Sequence, residues 1–302
     1  MKQFPDNSRV CFVGDSITHI GLFIKHIAAY YRERLPERRI EFYNCGIAGG
    51  NLTNTLRVYD EDVAIYEPTH IVLMIGVNDS RRNRLIEPAG EERYAKLLEA
   101  YEKYRRNLES LYQLTQKQGV ELILCTPMPY AEYQKSDVQT LPGGFALIQS
   151  YAELVRSFAR EHELALCDYH KAATRAMQRE VIYAPDRVHP NPRGHALMAQ
   201  AFLSELGIEY EIPEVFSAEV EEWYALTQTL RNIITTEFLT VPDYFSLTDV
   251  ELLEVIREKH EGMLRGTYEA DTYVGSLIRA YVTDKPRQAE YIQSVKGFFQ
   301  KI

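Results

Sequence analysis

The 302-residue chain is predicted to fold as an α/β protein with a doubly wound parallel sheet and an all-helical C-terminal extension. Up to about residue 210, short apolar runs bounded by turn residues alternate with longer stretches of helical period, the pattern of a sheet wrapped by helices. The run Ile71-Val72-Leu73-Met74-Ile75 is continuous rather than alternating, which suits a strand covered on both faces. After Pro213 no strand candidate stands out.

In chain order the expected strands are Arg9–Val13, Ile40–Asn44, His70–Ile75, Glu121–Cys125 and Leu164–Asp168. Between and after them, Ile20–Leu35, Glu91–Gln118, Phe145–His162 and Arg193–Leu206 read as amphipathic helices, with Gly119 placed where a glycine ends a helix. In such sheets ligands bind beyond the carboxyl ends of the strands. The tail reads as helix over Ala218–Phe238, Thr248–Leu264, Thr267–Val282 and Arg287–Gln300, with a capping box at Thr248-x-x-Glu251 and Pro286 in a tolerated first-turn position. The expected division is an α/β domain over 1–212 and a helical extension over 213–302. The tail's aromatic residues form a stripe suited to packing, on the main domain or on a second copy of the chain, which makes a homo-oligomer an expectation.

Hydrophobic residues make up 45% and charged residues 25%, enough apolar material for a sizeable core. A formal net charge of −9 repels phosphate backbones and anionic headgroups, arguing against nucleic acid and membrane surfaces as partners. No uninterrupted apolar run reaches the roughly 18 to 20 residues that span a bilayer. The N-terminal segment runs straight into a strand without the charged and apolar regions of a signal peptide, so a cytoplasmic location is expected. Cys11, Cys45, Cys125 and Cys167 lie far apart in apolar segments and read as buried thiols; no closely spaced Cys or His set suggests a metal, and no cofactor motif is present.

Four motifs carry chemistry. The first strand runs into Gly14-Asp15-Ser16-Ile17-Thr18, which sets a hydroxyl where a strand turns into a helix; taken alone, an N-cap explains it as well. The second runs into Asn44-Cys45-Gly46-Ile47-Ala48-Gly49-Gly50-Asn51, whose glycines allow close backbone approach and match neither the dinucleotide fingerprint nor a P-loop. The third runs into Gly76-Val77-Asn78-Asp79, where an amide can donate to an oxyanion or simply make a turn. The fourth, Asp186-Arg187-Val188-His189-Pro190, puts a carboxylate three residues before a histidine, a spacing that can hold one ring tautomer and leave the other nitrogen as base. His195 follows too far beyond, across Pro190 and Pro192, to pair with His189 on a metal. Asp15 and Asp79 read as turn and cap residues. Together the four motifs supply nucleophile, backbone donor, side-chain donor and base at one edge of the predicted sheet.

On these four blocks the chain resembles the SGNH (GDSL-type) hydrolases, over roughly Arg9 to Tyr210. The stretches Gly46-Ile47-Ala48-Gly49, Met74-Ile75-Gly76-Val77-Asn78-Asp79 and Asp186-Arg187-Val188-His189-Pro190 with Gly194-His195 are similar to the bacterial intracellular acetylxylan esterases in particular. The resemblance implies a flavodoxin-like SGNH hydrolase fold and a cofactor-free, metal-independent serine esterase. In it Ser16, Asp186 and His189 are catalytic, and Ser16, Gly49 and Asn78 form the oxyanion hole. It implies a small-molecule ester substrate, an acetylated sugar such as a xylo-oligosaccharide. Relatives usually carry Asp after G-D-S-I-T and Trp before the arginine that follows the G-I-N-D block; this chain has His19 and Arg81 there and keeps Arg82, so His19, Arg81 and Arg82 are the expected substrate-binding residues. The rival expectations are a lysophospholipase or thioesterase for longer acyl chains and a catalytically idle scaffold. The cluster Arg81-Arg82-x-Arg84 reads as a solvated charge run or, less simply, as a site for an acidic sugar.

Overall fold

The computed structural model describes residues 1–233. Five strands, β1 (Arg9–Gly14), β2 (Glu41–Gly46), β3 (His70–Met74), β4 (Glu121–Cys125) and β5 (Ala165–Cys167), form one parallel sheet in the order β2-β1-β3-β4-β5. All five residues of β3 are buried, as its unbroken apolar run requires of a central strand. Burying each of its Ile, Val, Leu and Met side chains contributes roughly 1.5–3 kcal/mol.

The helices are α1 (Ser16–Ile20), α2 (Leu22–Arg34), α3 (Leu52–Arg57), α4 (Tyr59–Asp62), α5 (Glu91–Gln118), α6 (Gly144–Glu161), α7 (Tyr169–Ala176), α8 (Pro192–Glu205) and α9 (Ala218–Ile233). The helix expected over Ile20–Leu35 is α2, which starts at Leu22 because Gly21 adopts a left-handed conformation and ends the short α1 before it. The chain steps from β1 outward to β2, then returns past β1 to β3 and proceeds the other way. Right-handed crossovers therefore put α2 and α5 on opposite faces. On the first face Phe12 of β1 meets Phe23 of α2 and Phe202 of α8, with ring centroids 5.8 and 6.0 Å apart. On the second, Tyr104 of α5 meets Tyr151 of α6 at 5.1 Å, and the Tyr104 hydroxyl donates to the carbonyl of Ile75.

The reversal of strand order falls between β1 and β3. Their last residues, Gly14 and Met74, are register partners, and Gly14 also partners Gly46 of β2. The loops leaving these three strands thus start side by side, in the crevice where open α/β sheets bind ligands. Two glycines make this possible: a Cβ on Gly14 would lie 2.4 Å from the Met74 carbonyl oxygen, and one on Gly46 would lie 2.2 Å from the His19 nitrogen.

The described residues divide into two units, Met1–Arg57 with Pro68–Val220, and Val58–Glu67 with the segment that starts at Glu221. Within the second, buried Arg231 and Asp62 form a bidentate ion pair, one arm at 2.8 Å. The helices expected over Thr248–Leu264, Thr267–Val282 and Arg287–Gln300, and the end of the one expected over Ala218–Phe238, lie outside the described residues. All four cysteines are buried. No helix among the described residues is long and apolar enough to cross a membrane.

Candidate active site

Ser16 is the first residue of α1. Asp15 caps that helix, its Oδ1 accepting from the Ile17 N–H at 3.0 Å, so the serine backbone N–H is left at a helix N-terminus. Asp15, and not Ser16, therefore answers the capping explanation of the Gly-Asp-Ser motif. The Ser16 Oγ lies 2.7 Å from His189 Nε2.

His189 sits in a tight hairpin between the antiparallel pair Tyr183 and Pro190, closed by the Ala184 N–H on the His189 carbonyl at 2.8 Å. Asp186 organises this hairpin. Its Oδ1 accepts from the N–H groups of Val188 and His189, both at 2.9 Å, and its Oδ2 lies 2.5 Å from His189 Nδ1. Burial alone would raise the Asp186 pKa, but the bonds from the His189 ring and from the two backbone N–H groups outweigh it, and the carboxyl is held below its ordinary value. Ionised, it favours the Nδ1–H tautomer and stabilises a positive ring, leaving Nε2 to accept the serine proton.

The donors converge from the other two loops. Gly49 is exposed and left-handed, with φ of 70°, and its N–H has no hydrogen-bond partner among the described residues. Asn78 donates from Nδ2 to the Gly50 carbonyl at 2.8 Å, which ties the amide to the glycine loop and leaves its second N–H to give. The oxygen of that amide accepts from Arg82 Nη1 at 3.4 Å, and the same nitrogen reaches the Val77 carbonyl at 3.3 Å. The sequence pointed to Arg82 as a cleft residue; its contact with Asn78, which together with the Gly50 carbonyl sets the orientation of the amide, was not foreseen.

Two further carboxylates lie beneath, Asp15 buried and Asp79 half-buried. Asp15 is pushed up to about 6, chiefly by burial, and Asp79 to about 7, by burial and then by Asp15. Asp79 Oδ1 accepts from the Leu52 N–H at 3.0 Å, fixing the start of α3 behind the glycine loop. Both act on backbone. His195 is buried, stacks on Phe23 and is pushed down to about 3 by burial, so it stays uncharged near neutral pH.

Of the remaining expected residues, His19 is half-buried, with Nδ1 3.4 Å from the Gly46 carbonyl, at the foot of the glycine loop. Arg81 is exposed and points elsewhere: it lines a separate pocket with Asn78, whereas Arg82 turns toward the amide. The run Arg81-Arg82-x-Arg84 is therefore split: Arg84, paired with Glu87 at 3.0 Å, lines the same pocket as Arg81, and Arg82 does not. Reading the sequence also missed Arg187. Its guanidinium is buried and donates to the carbonyls of Ala131, Glu132, Gln134, Ser136 and Val138, binding that loop to the hairpin. Its only sequence signal is its place between Asp186 and His189.

The arrangement suits acyl transfer: an oxygen nucleophile, a base with an orienting carboxylate, and donors from three loops around one point. Comparison with known proteins agrees. Residues 12–197 match the GDSL-like lipase/acylhydrolase family. An acetylxylan esterase of Geobacillus stearothermophilus is 27% identical over 225 residues, covering 69% of this chain and 98% of that protein. The crystal structure of an acetylxylan esterase from the same organism superposes with a TM-score of 0.58 at 25% identity, over 69% of this chain and 98% of the other. A gut microbial diltiazem-metabolizing enzyme shares the fold, with a TM-score of 0.61 at 24% identity, over 68% of this chain and 48% of the other. With the match extending over more than half of its length, the chain belongs to the GDSL-like lipase/acylhydrolase (SGNH) family of carboxylic ester hydrolases.

Proposed function

We propose that this protein is a serine esterase that removes small acyl groups, acetyl foremost, from carbohydrates such as acetylated xylo-oligosaccharides. The observation that carries the reading is the unbroken chain of contacts from Ser16 Oγ to His189 Nε2 at 2.7 Å and from His189 Nδ1 to Asp186 Oδ2 at 2.5 Å. The sugar and the acetyl group are supported by the likeness to an acetylxylan esterase.

In this reading Ser16 Oγ attacks the ester carbonyl while its proton passes to His189 Nε2. The carbonyl oxygen takes up negative charge, held by the N–H groups of Ser16 and Gly49 and by the free N–H of the Asn78 amide. Collapse breaks the bond to the sugar oxygen, which leaves with the proton from His189. Water then attacks the acyl-serine, giving its proton to the same nitrogen, and the carboxylic acid departs as Ser16 regains its proton.

The test is acetate release from a panel of acetylated oligosaccharides, together with p-nitrophenyl esters of increasing chain length. Acetate is expected to be preferred. A preference for octanoate over acetate would overturn the acetyl reading in favour of a lysophospholipase or thioesterase, and hydrolysis of simple esters without any acetylated saccharide would overturn the sugar. The same proposal places the protein in the cytoplasm as a homo-oligomer, checked by fractionation and by its mass in solution.

A further inference from the structure

The turn that carries Asn78 has a second side. A pocket of about 120 Å³ lies there, lined by Asn51, Asn78, Arg81, Arg84, Lys96 and Lys103 among others. Asn51 directly follows the glycine loop and Asn78 belongs to the donor set, so the pocket and the reacting centre are built on the same two segments.

The pocket's charge runs against that of the chain. Four cations line it against two carboxylates, Asp79 and Glu99, in a protein whose formal net charge is −9. Two of the cations are already engaged, Arg84 by Glu87 at 3.0 Å and Lys96 by Glu92 at 2.5 Å. Arg81 and Lys103 make no side-chain hydrogen bond or ion pair among the described residues, and neither does the amide nitrogen of Asn51. Burial and the neighbouring Asp15 push Asp79 up to about 7 against the pull of Lys103, so near neutral pH its negative charge is about halved. Arg81 is also held in the left-handed region, with φ of 50°, where a residue bearing a Cβ is strained by roughly 1 kcal/mol.

We infer that this pocket binds the anionic group, carboxylate or sulfate, of an acidic saccharide ester, with Arg81 and Lys103 as its charge partners and Asn51 as a neutral donor. The inference deepens the esterase reading and rests on it, because the anion would be a substituent of the molecule whose acyl group reaches Ser16. A guanidinium donates two parallel N–H bonds to the two oxygens of a carboxylate, and an ammonium adds a point charge.

The test compares kcat/KM on three acetylated oligosaccharides: one carrying a uronic acid, its neutral counterpart, and one carrying a sulfate. The acidic substrates are expected to be favoured by about tenfold, the worth of one charge-assisted contact. Preference for the uronic acid alone identifies the carboxylate as the ligand, and preference for the sulfated substrate alone identifies the sulfate. In the Arg81→Ala/Lys103→Ala variant the ratio of acidic to neutral is expected to fall to about one, through KM, and added salt should erode it in the wild type. Equal or poorer turnover of both acidic substrates by the wild type would overturn the inference, as would a variant that slows all three substrates in the same proportion. Calorimetric titration of the wild-type protein with glucuronate and with sulfate separates this from the esterase reading. Binding of either together with acetate release supports both readings, whereas binding in a protein that releases no acetate supports the pocket and faults the esterase assignment. No binding by either overturns the pocket whatever the activity.

Discussion

Asp186 and the pair formed by Asp15 and Asp79 are the same residue type within one site, and their surroundings drive them in opposite directions. Asp186 is only partly buried, takes two backbone N–H groups and the His189 ring, and is held below its ordinary pKa. Asp15 is buried and Asp79 half-buried with its Oδ2 enclosed; each takes one backbone N–H at Oδ1, and they are pushed up to about 6 and about 7. The difference separates two jobs. Asp186 contributes through its charge, whereas the other two contribute through the geometry of an accepting oxygen that a neutral group can also provide.

The largest break in this comparison comes from Asp186→Asn. An amide at this position favours the wrong ring tautomer, and kcat is expected to fall by about 10⁴-fold in steady-state assays with p-nitrophenyl acetate. A fall of less than tenfold would mean that Asp186 acts only as a hairpin brace. Next comes Asn78→Ala, which removes one oxyanion donor and should lower kcat by about 10²–10³-fold with KM little changed. A loss confined to KM would place Asn78 in ground-state binding instead. The smallest effect is expected from Asp79→Asn, whose Oδ1 can still accept from Leu52.

That last variant sharpens the comparison through stability. A carboxyl whose folded pKa is raised favours folding most fully below its ordinary value near 3.8, and that contribution is lost as pH rises through about 7. Between pH 5 and pH 8 the wild type should therefore lose stability relative to Asp79→Asn, by at most about 3 kcal/mol at 1.36 kcal/mol per pKa unit. Asp186 has the opposite sign: its contribution is present above the ordinary carboxylate range and is lost only as pH falls through its lowered value. Parallel melts of Asp79→Asn and the wild type that keep a constant offset across that range would contradict the raised pKa.

Much of this site was legible because its main contacts are local. Asp186 and His189 are three residues apart, and Gly14-Asp15-Ser16 contains both the proposed nucleophile and the cap of the helix it begins. The strands were legible because burial on both faces demands unbroken apolar runs; only their ends moved, by a residue or two. The short helices α3, α4 and α7 went unread, since four to eight residues give too little period to detect. Arg187 shows the other limit. Its partners are carbonyl oxygens 49 to 56 residues away, and a carbonyl carries no side-chain identity for a sequence to display. The same holds for Asp79 and the Leu52 N–H, joined across 27 residues.

The central claim is that three strand-end loops and one hairpin bring Ser16, His189 and a donor set around one point. It is tested most directly by reacting the intact protein with a fluorophosphonate and locating the adduct by mass spectrometry. A single adduct on Ser16, formed rapidly in the wild type and slowed by orders of magnitude in His189→Ala, is the predicted result. An unlabelled Ser16, or labelling at the same rate without His189, would contradict it.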